Sequence, residues 1–408
     1  MIKIVPFFSP IFSSERRKEI LSQLFLDDNQ IVSPERYFSE DYSNFQTDQH
    51  YIFVGTGGTE KEIADFVKQS KLSTPIILLS YELHNSLPAA METRSYLEQE
   101  KIESRITHDH LTELTSTFKR LKEYNAIKDK LDNSRMGIIG EPSEWLIASQ
   151  IDENKVKENW GITFVSIPIK ELLSVQEVPT PTELDEFSDQ FINKATDSKV
   201  SSEEVVKAAI VFDRLNQLAK QFQLDAVTVE CFSLVQETSI TSCYALSLLN
   251  DEGIVAGCEG DIPSTFTMLL LFLLVDNPVF MANVIDVNTR KNSIKLAHCT
   301  VPTKIIENYA ITTHFETGKS VAIRGQFKTA QEVTILKIGG KDLTHWWVTR
   351  GKIISIPENK FACRTQIEVS INEPVRYFLE ESIANHHCIV RGNHVERIQE
   401  FLDYILEQ

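Results

Sequence analysis

The 408-residue sequence lacks several features that would assign a class of protein at once. Its six cysteines form no CxxC pair, and a chain of this length does not need disulfides to fold, so we expect reduced thiols. The most apolar stretch, residues 267–275, is too short to cross a bilayer, which takes roughly 20 helical residues, and is expected to be a buried core helix. The first eight residues lack the long apolar core of a secretory signal. We therefore expect a cytoplasmic protein that does not associate with membranes.

Positive charge is also scarce. Lys and Arg number 41 against 58 Asp and Glu, which gives a formal net charge of −17. Such a charge repels nucleic-acid backbones and anionic lipids unless a local basic patch overrides it. The densest basic stretch, residues 119–130, alternates with acidic residues at helical spacing and is typical of a solvated helix face. We expect no nucleic-acid partner.

Apolar periodicity divides the chain into three parts. Short apolar runs alternate with amphipathic stretches through the first 123 residues and again from residue 136, which predicts parallel sheets covered by helices. From about residue 306 the period changes to two, which favours antiparallel strands, and a final helix closes the chain. We predict two Rossmann-like, doubly wound α/β domains (residues 1–130 and 131–305), the second carrying the site carboxylates, then a C-terminal antiparallel β domain (residues 306–408). A candidate loop lies at residues 178–181.

A carboxylate follows an apolar strand in the segment from Gly253 to Thr265, immediately before a strongly apolar helix. Open α/β sheets bind ligands at the carboxyl ends of their strands, and the glycines flanking this segment's carboxylates let a ligand approach closely. Glu259 is therefore a candidate site residue. Asp261 and Ser264 also fit a simpler role as caps of the following helix.

Two further segments place polar groups in apolar runs. Asp286 interrupts a strand, so it must pair, bind metal or face solvent, and a turn before Asn288 is the simpler explanation. His298 ends the next apolar run, where a hydrogen-bonded core histidine is the alternative to a ligand. His386 and His387 are adjacent on a short strand and point to opposite faces, so at most one serves a given site.

Two carboxylates and one or two imidazoles form an oxygen-rich donor set. Such a set suits Mn²⁺ or Mg²⁺ better than a thiolate-selecting zinc site. The scattered cysteines supply no zinc pattern; those near the candidate ligands are expected to pack as small apolar side chains.

Five segments, taken in chain order, resemble the L-fucose/L-arabinose isomerase family. They are residues 226–232, Gly-Cys-Glu-Gly-Asp at 257–261, Asn-Val-Ile-Asp at 283–286, Leu-Ala-His at 296–298, and the His pair at 386–387. The resemblance covers about residues 227–392, and the first 150 residues match in general α/β character. It implies an aldose–ketose isomerase that uses Mn²⁺, with Mg²⁺ or Co²⁺ as further possibilities.

Carried over residue by residue, the resemblance nominates Glu259, Asp286 and His387 as metal ligands, and its arabinose isomerase branch adds His298. It assigns Glu259 and Asp286 as the acid/base pair, in an order left open, for moving a proton between C2 and C1 through a cis-enediol. It also implies a monosaccharide substrate and self-association as a hexamer or trimer, in which the N-terminal domain of one subunit closes the site of another.

Two alternatives stay open. The first is an isomerase of the same fold for an anionic hexose, for example a sulfonated one, with Arg324 and Arg364 as candidates to meet the charge. The second is a catalytically silent sugar-binding or regulatory protein. A binding scaffold does not need a chelating set of residues, which favours an enzyme.

Overall fold

The computed structural model describes residues 2–24, 31–34, 49–70, 72, 75–174 and 181–406. Two compact units are present: one ends at Ala126, and the other runs from Ile127 to Leu406. Residues 178–180 of the candidate loop lie outside the described ranges, and residue 181 begins a helix. The division into three domains stays a prediction.

The first unit contains a four-stranded parallel sheet in the order β1-β2-β3-β4. Buried apolar residues of β1 to β3 pack against the following helices, as expected for strands covered by helices. The strands are β1 (Ile2–Phe7), β2 (Gln49–Val54), β3 (Ile76–Tyr81) and β4 (Ser104–Asp109), and the helices are α1 (Ser14–Gln23), α2 (Glu60–Ser70), α3 (Ser86–Gln99) and α4 (Leu114–Asn133), within which the division between the units falls.

The second unit begins with another parallel sheet, in the order β6-β5-β7-β8. The strands are β5 (Arg135–Ile139), β6 (Thr163–Ile167), β7 (Ala226–Val229) and β8 (Val255–Cys258). The helices are α5 (Glu153–Trp160), α6 (Ile169–Ser174), α7 (Pro181–Lys194), α8 (Ser202–Phe222), α9 (Cys231–Thr238), α10 (Cys243–Glu252) and α11 (Ile262–Val275). The strand order reverses between β5 and β7, and such a reversal opens a ligand crevice at the carboxyl ends of the strands.

The rest of the unit is antiparallel, which confirms the predicted change of period. The elements are β9 (Phe280–Asn288), β10 (Ser293–His298), a 3₁₀ turn (Thr303–Ile305), β11 (Asn308–Thr312), β12 (Ala322–Gln326), β13 (Glu332–Gly339), β14 (His345–Ser355), β15 (Thr365–Ile371), α12 (Tyr377–Glu380), β16 (His386–Arg391) and α13 (Val395–Leu406). Six strands close a barrel in the order β10-β15-β14-β13-β16-β9, and β11 pairs with β12 separately. The barrel thus includes residues 280–298, which the sequence analysis placed with the central α/β part.

Helix α11 joins the parallel sheet to the barrel. It is apolar on almost every side because it packs on β7 and β8 and also on β9, β13 and β16. This confirms the buried core helix predicted around residues 267–275. Among the described residues, no helix combines the length and apolar character needed to span a membrane. The Rossmann-like, doubly wound form of the two α/β parts stays a prediction.

Candidate metal site

Glu259 lies in the turn between β8 and α11. Its φ is +63° and that of Gly260 is +68°, so two successive residues adopt the left-handed conformation. Gly260 is required there because a Cβ would lie 2.7 Å from the Cα of Pro142. The Glu259 side chain is only 14% exposed, and its Oε2 accepts a hydrogen bond from Trp145 Nε1 at 3.0 Å. The turn therefore holds a nearly buried carboxylate at the strand end.

The barrel supplies two buried imidazoles next to one another. Strands β10 and β16 both pair with β9, where Ala297 and His386 lie opposite the same residue, Asn283. His298, one residue further along β10, has its ring centroid 5.5 Å from that of His386. Its Nδ1 is 2.9 Å from Thr300 Oγ1, which leaves Nε2 for another partner.

The three side chains converge on one point. Glu259 Oε1 lies 3.6 Å from Nε2 of His386 and 3.9 Å from Nε2 of His298. Within the part of the chain that the structure describes, these are the residues whose ligand atoms lie within 4.8 Å of one another and could hold a metal ion. His386 Nε2 is buried without a hydrogen-bond partner among the described residues, and a buried polar atom of this kind needs a partner. A metal ion at this point would supply one.

The charges of the cluster are strongly coupled. Burial would raise the pKa of Glu259, but the nearby charges of His386 and His298 and the hydrogen bond from Trp145 hold it at about 2. Burial would lower the pKa of His386, yet Asp261 and Glu259 raise it to about 9. Burial and the charge of His386 lower the pKa of His298 to about 4. At neutral pH the cluster therefore contains an ionised carboxylate and a neutral His298.

Asp261 has two functions in the structure. It caps α11, as predicted, by accepting a hydrogen bond from the Ser264 amide at 3.0 Å. Its Oδ2 also accepts a hydrogen bond from His386 Nδ1 at 2.8 Å. A carboxylate on the second ring nitrogen fixes the orientation and tautomer of a metal-binding histidine.

Two nominated residues lie elsewhere. Asp286 pairs across the β9–β10 hairpin with Lys295, whose Nζ is 2.8 Å from its Oδ2, and its side chain is 53% exposed. His387 is buried on the opposite face of β16, where it packs against Tyr377 and Trp347, and burial lowers its pKa to about 3. Neither residue belongs to the convergent group, whereas Glu259 and His298 do.

Three residues at the site were missed by the sequence analysis. The rings of Trp145 and Phe232 pack edge to face with their centroids 4.8 Å apart, and the centroids of the Phe232 and His314 rings are 6.1 Å apart. His314 lies near enough to His298 to contribute to lowering its pKa. Trp145 and Phe232 follow β5 and β7, so the rule that ligands bind at strand ends could have identified them.

Comparison with known proteins finds similarity to three proteins named as sugar isomerases. The chain is 20% identical over 294 residues to a protein named sulfoquinovose isomerase from Priestia aryabhattai, and equally to that of Priestia megaterium, covering 69% of this chain and 65% of each relative. A third sulfoquinovose isomerase, from Alkalicoccus urumqiensis, is 20% identical over 276 residues, covering 65% of this chain and 62% of the relative. The chain thus matches a little under two thirds of the length of these relatives. No protein-family model matches the sequence.

Proposed function

We propose that the protein is a metal-dependent aldose–ketose isomerase whose site is formed by Glu259, His298 and His386. The observation that carries the proposal is the convergence of three ligand atoms on one point, with His386 Nε2 buried and without a described partner. The similarity to three proteins named as sugar isomerases supports the reaction class. A protein that only binds a sugar does not need such a chelating group, which favours an enzyme.

The donor set fits a divalent metal ion. One carboxylate and two imidazoles accept Mn²⁺ or Co²⁺ more readily than Mg²⁺, which prefers oxygen ligands and retains its waters. When bound, the ion would act as a Lewis acid toward adjacent oxygens of an open-chain sugar. We assign His386 to the position for which the sequence nominated His387, and we give Asp286 no role in holding the metal.

Glu259 is our candidate for the proton-transfer group. Its environment keeps it ionised, so it can accept the C2 proton of an aldose and return that proton to C1 as the carbonyl moves from C1 to C2. Trp145 fixes one carboxylate oxygen, and the residue itself is 54% exposed. An exposed indole beside a carboxylate is suited to packing against the apolar face of a sugar.

The test is Glu259→Gln, assayed for ketose formation with Mn²⁺ present. We expect the rate to fall by roughly 10²- to 10⁴-fold, the usual contribution of a proton-transfer group. Glu230→Gln is the matched control. Like Glu259, Glu230 follows a strand of the same sheet, but it caps the next helix and lies outside the ligand group. Full activity of the Glu259 variant would disprove the assignment.

An anionic hexose is the substrate class we favour. The relatives are named for sulfoquinovose, a sulfonated hexose. Arg324, Arg364, Lys199 and Lys360 line a cavity of about 220 Å³, in which the one carboxylate among the described lining residues, Glu358, lies 3.6 Å from Arg324. The next residue after Arg364 pairs with His298 across β10 and β15, so the cavity adjoins a strand of the site.

A substrate panel separates the alternatives. It compares sulfoquinovose with neutral aldopentoses and deoxyhexoses, with added Mn²⁺ and with chelator. Turnover of the sulfonated sugar, with a KM that rises in Arg364→Met, would support an anionic substrate. Turnover of a neutral sugar alone would contradict it. Metal binding without any turnover would favour a silent sugar-binding protein. Self-association stays a prediction that sedimentation of the purified protein tests.

A further inference from the structure

Lys337 is a buried lysine for which the proposed reaction has no use. It lies in the middle of β13, a strand whose neighbouring residues are apolar, and its relative exposure is 0%. A buried ammonium is costly unless an opposite charge and hydrogen bonds compensate for it. Apolar residues of similar volume usually stabilise a fold as well as a buried ion pair does. Stability alone therefore does not explain this lysine.

The ammonium of Lys337 begins a chain of buried hydrogen bonds. Its Nζ donates to Ser264 Oγ at 2.8 Å, and Ser264 Oγ donates to Asp261 Oδ2 at 2.7 Å. The same Asp261 oxygen accepts from His386 Nδ1 at 2.8 Å. All four residues have 0% relative exposure. A lysine can only donate and a carboxylate can only accept, so the direction of every bond in the chain is fixed.

This direction has a consequence for the imidazole. Because Asp261 accepts, Nδ1 of His386 keeps its hydrogen, and Nε2 is the nitrogen that can bind a metal once its own proton has left. That nitrogen is the one that faces Glu259 at 3.6 Å and lacks a hydrogen-bond partner among the described residues. The chain thus selects the ring orientation that the metal site needs.

We propose that Lys337, Ser264 and Asp261 are positioning residues that present His386 Nε2 to a divalent metal ion. The carboxylate of Asp261 holds the ring, Ser264 holds the carboxylate, and Lys337 balances its charge without touching the site. The inference rests on the metal site of the proposed function, but not on the isomerase reaction.

The experiment measures Mn²⁺ affinity by calorimetry and the visible absorption of the Co²⁺-loaded protein. Asp261→Asn keeps an acceptor for the helix cap but can turn its amide N–H groups toward Nδ1, which favours the wrong tautomer of His386. We expect Asp261→Asn and Lys337→Met each to weaken binding by roughly 10- to 100-fold, the usual cost of losing a partner of a metal-binding histidine. The Co²⁺ bands should shift because an imidazole ligand is displaced.

Three further variants make the result decisive. Ser264→Ala interrupts the chain without removing a charge, and it is expected to weaken binding even if Lys337→Met does not fold. Asp152→Asn removes the cap of α5, and Lys295→Met removes a barrel lysine; both should retain wild-type affinity and spectrum.

Wild-type affinity and Co²⁺ bands in folded Asp261→Asn and Ser264→Ala would overturn the inference, as would a wild-type protein that binds neither metal. If the protein binds metal and these variants weaken that binding, yet no sugar is isomerised, only the proposed reaction would be disproved. The two failures are therefore distinguishable.

Discussion

Raising the pH should tighten Mn²⁺ binding, because the metal must displace a proton from His386. In the metal-free protein burial opposes the charge on this ring, but Asp261 and Glu259 raise its pKa to about 9. His298 and Glu259, with pKa values of about 4 and about 2, are already unprotonated at neutral pH. One proton is therefore released for each metal bound.

The size of the effect follows from that single proton. Below the pKa of His386 the dissociation constant should fall about tenfold for each pH unit, so that between about pH 6 and about pH 8 it falls roughly 100-fold, or about 2.7 kcal/mol. The slope should flatten near the pKa of the free protein, since His386 is then unprotonated before the metal arrives.

Calorimetric titration in two buffers of different ionisation enthalpy measures both the affinity and the number of protons released. His386→Gln is the control, because it retains a polar side chain but cannot titrate, so its weaker binding should lose the pH dependence. An unchanged slope in this variant would assign the proton to another group. A wild-type affinity that does not vary over this range would refute the reasoning altogether.

Three further substitutions test the assignment of the site and its turn. Asp286→Asn removes an exposed ion pair with Lys295, so the free energy of unfolding should change by less than about 1 kcal/mol. Its Mn²⁺ affinity, measured by calorimetry, should stay within about twofold of wild type. A loss of affinity of roughly tenfold would show that Asp286 does hold the metal. His387→Phe keeps the aromatic packing against Tyr377, so metal affinity should also be unchanged, and a large loss would favour His387 over His386 as ligand. Gly260→Ala forces a left-handed alanine against Pro142, so chemical denaturation should show a loss of more than about 1 kcal/mol; wild-type stability would contradict the described turn.

Much of the fold could be predicted from local patterns. Alternating strands and helices predicted the parallel sheets, and period-two segments predicted the antiparallel C-terminal strands, because each pattern reports which faces of an element are buried. Closure of the barrel could not be predicted, since β9 and β10 pair with β16 and β15, which lie far away in the chain. The place of Glu259 at a strand end could be predicted, because it depends only on a strand followed directly by a helix.

The positions of the other two candidate ligands depend on strand register. Adjacent histidines on β16 point to opposite faces, and only the pairing of His386 with Asn283 shows which of them joins His298. For Asp286 the sequence left pairing, metal binding and solvent exposure open, and the structure shows pairing. A hairpin turn between Asn288 and Ser293 places it directly opposite Lys295, so an exposed cross-strand ion pair is the simpler explanation of its carboxylate.

Strand β9 and the helix before it, α11, set the relative positions of the three candidate ligands. Glu259 precedes α11, which leads directly into β9, and β9 pairs on one edge with the strand of His298 and on the other with that of His386. Strand β9 therefore sets the spacing of the two imidazoles, and α11, packed between sheet and barrel, sets their distance from the carboxylate. A site built on paired strands and a buried helix keeps its geometry better than one built on loops. The left-handed turn at Glu259 and Gly260 is then the one part of the site that depends on a strained backbone, and its conformation is fixed by the close approach of Pro142.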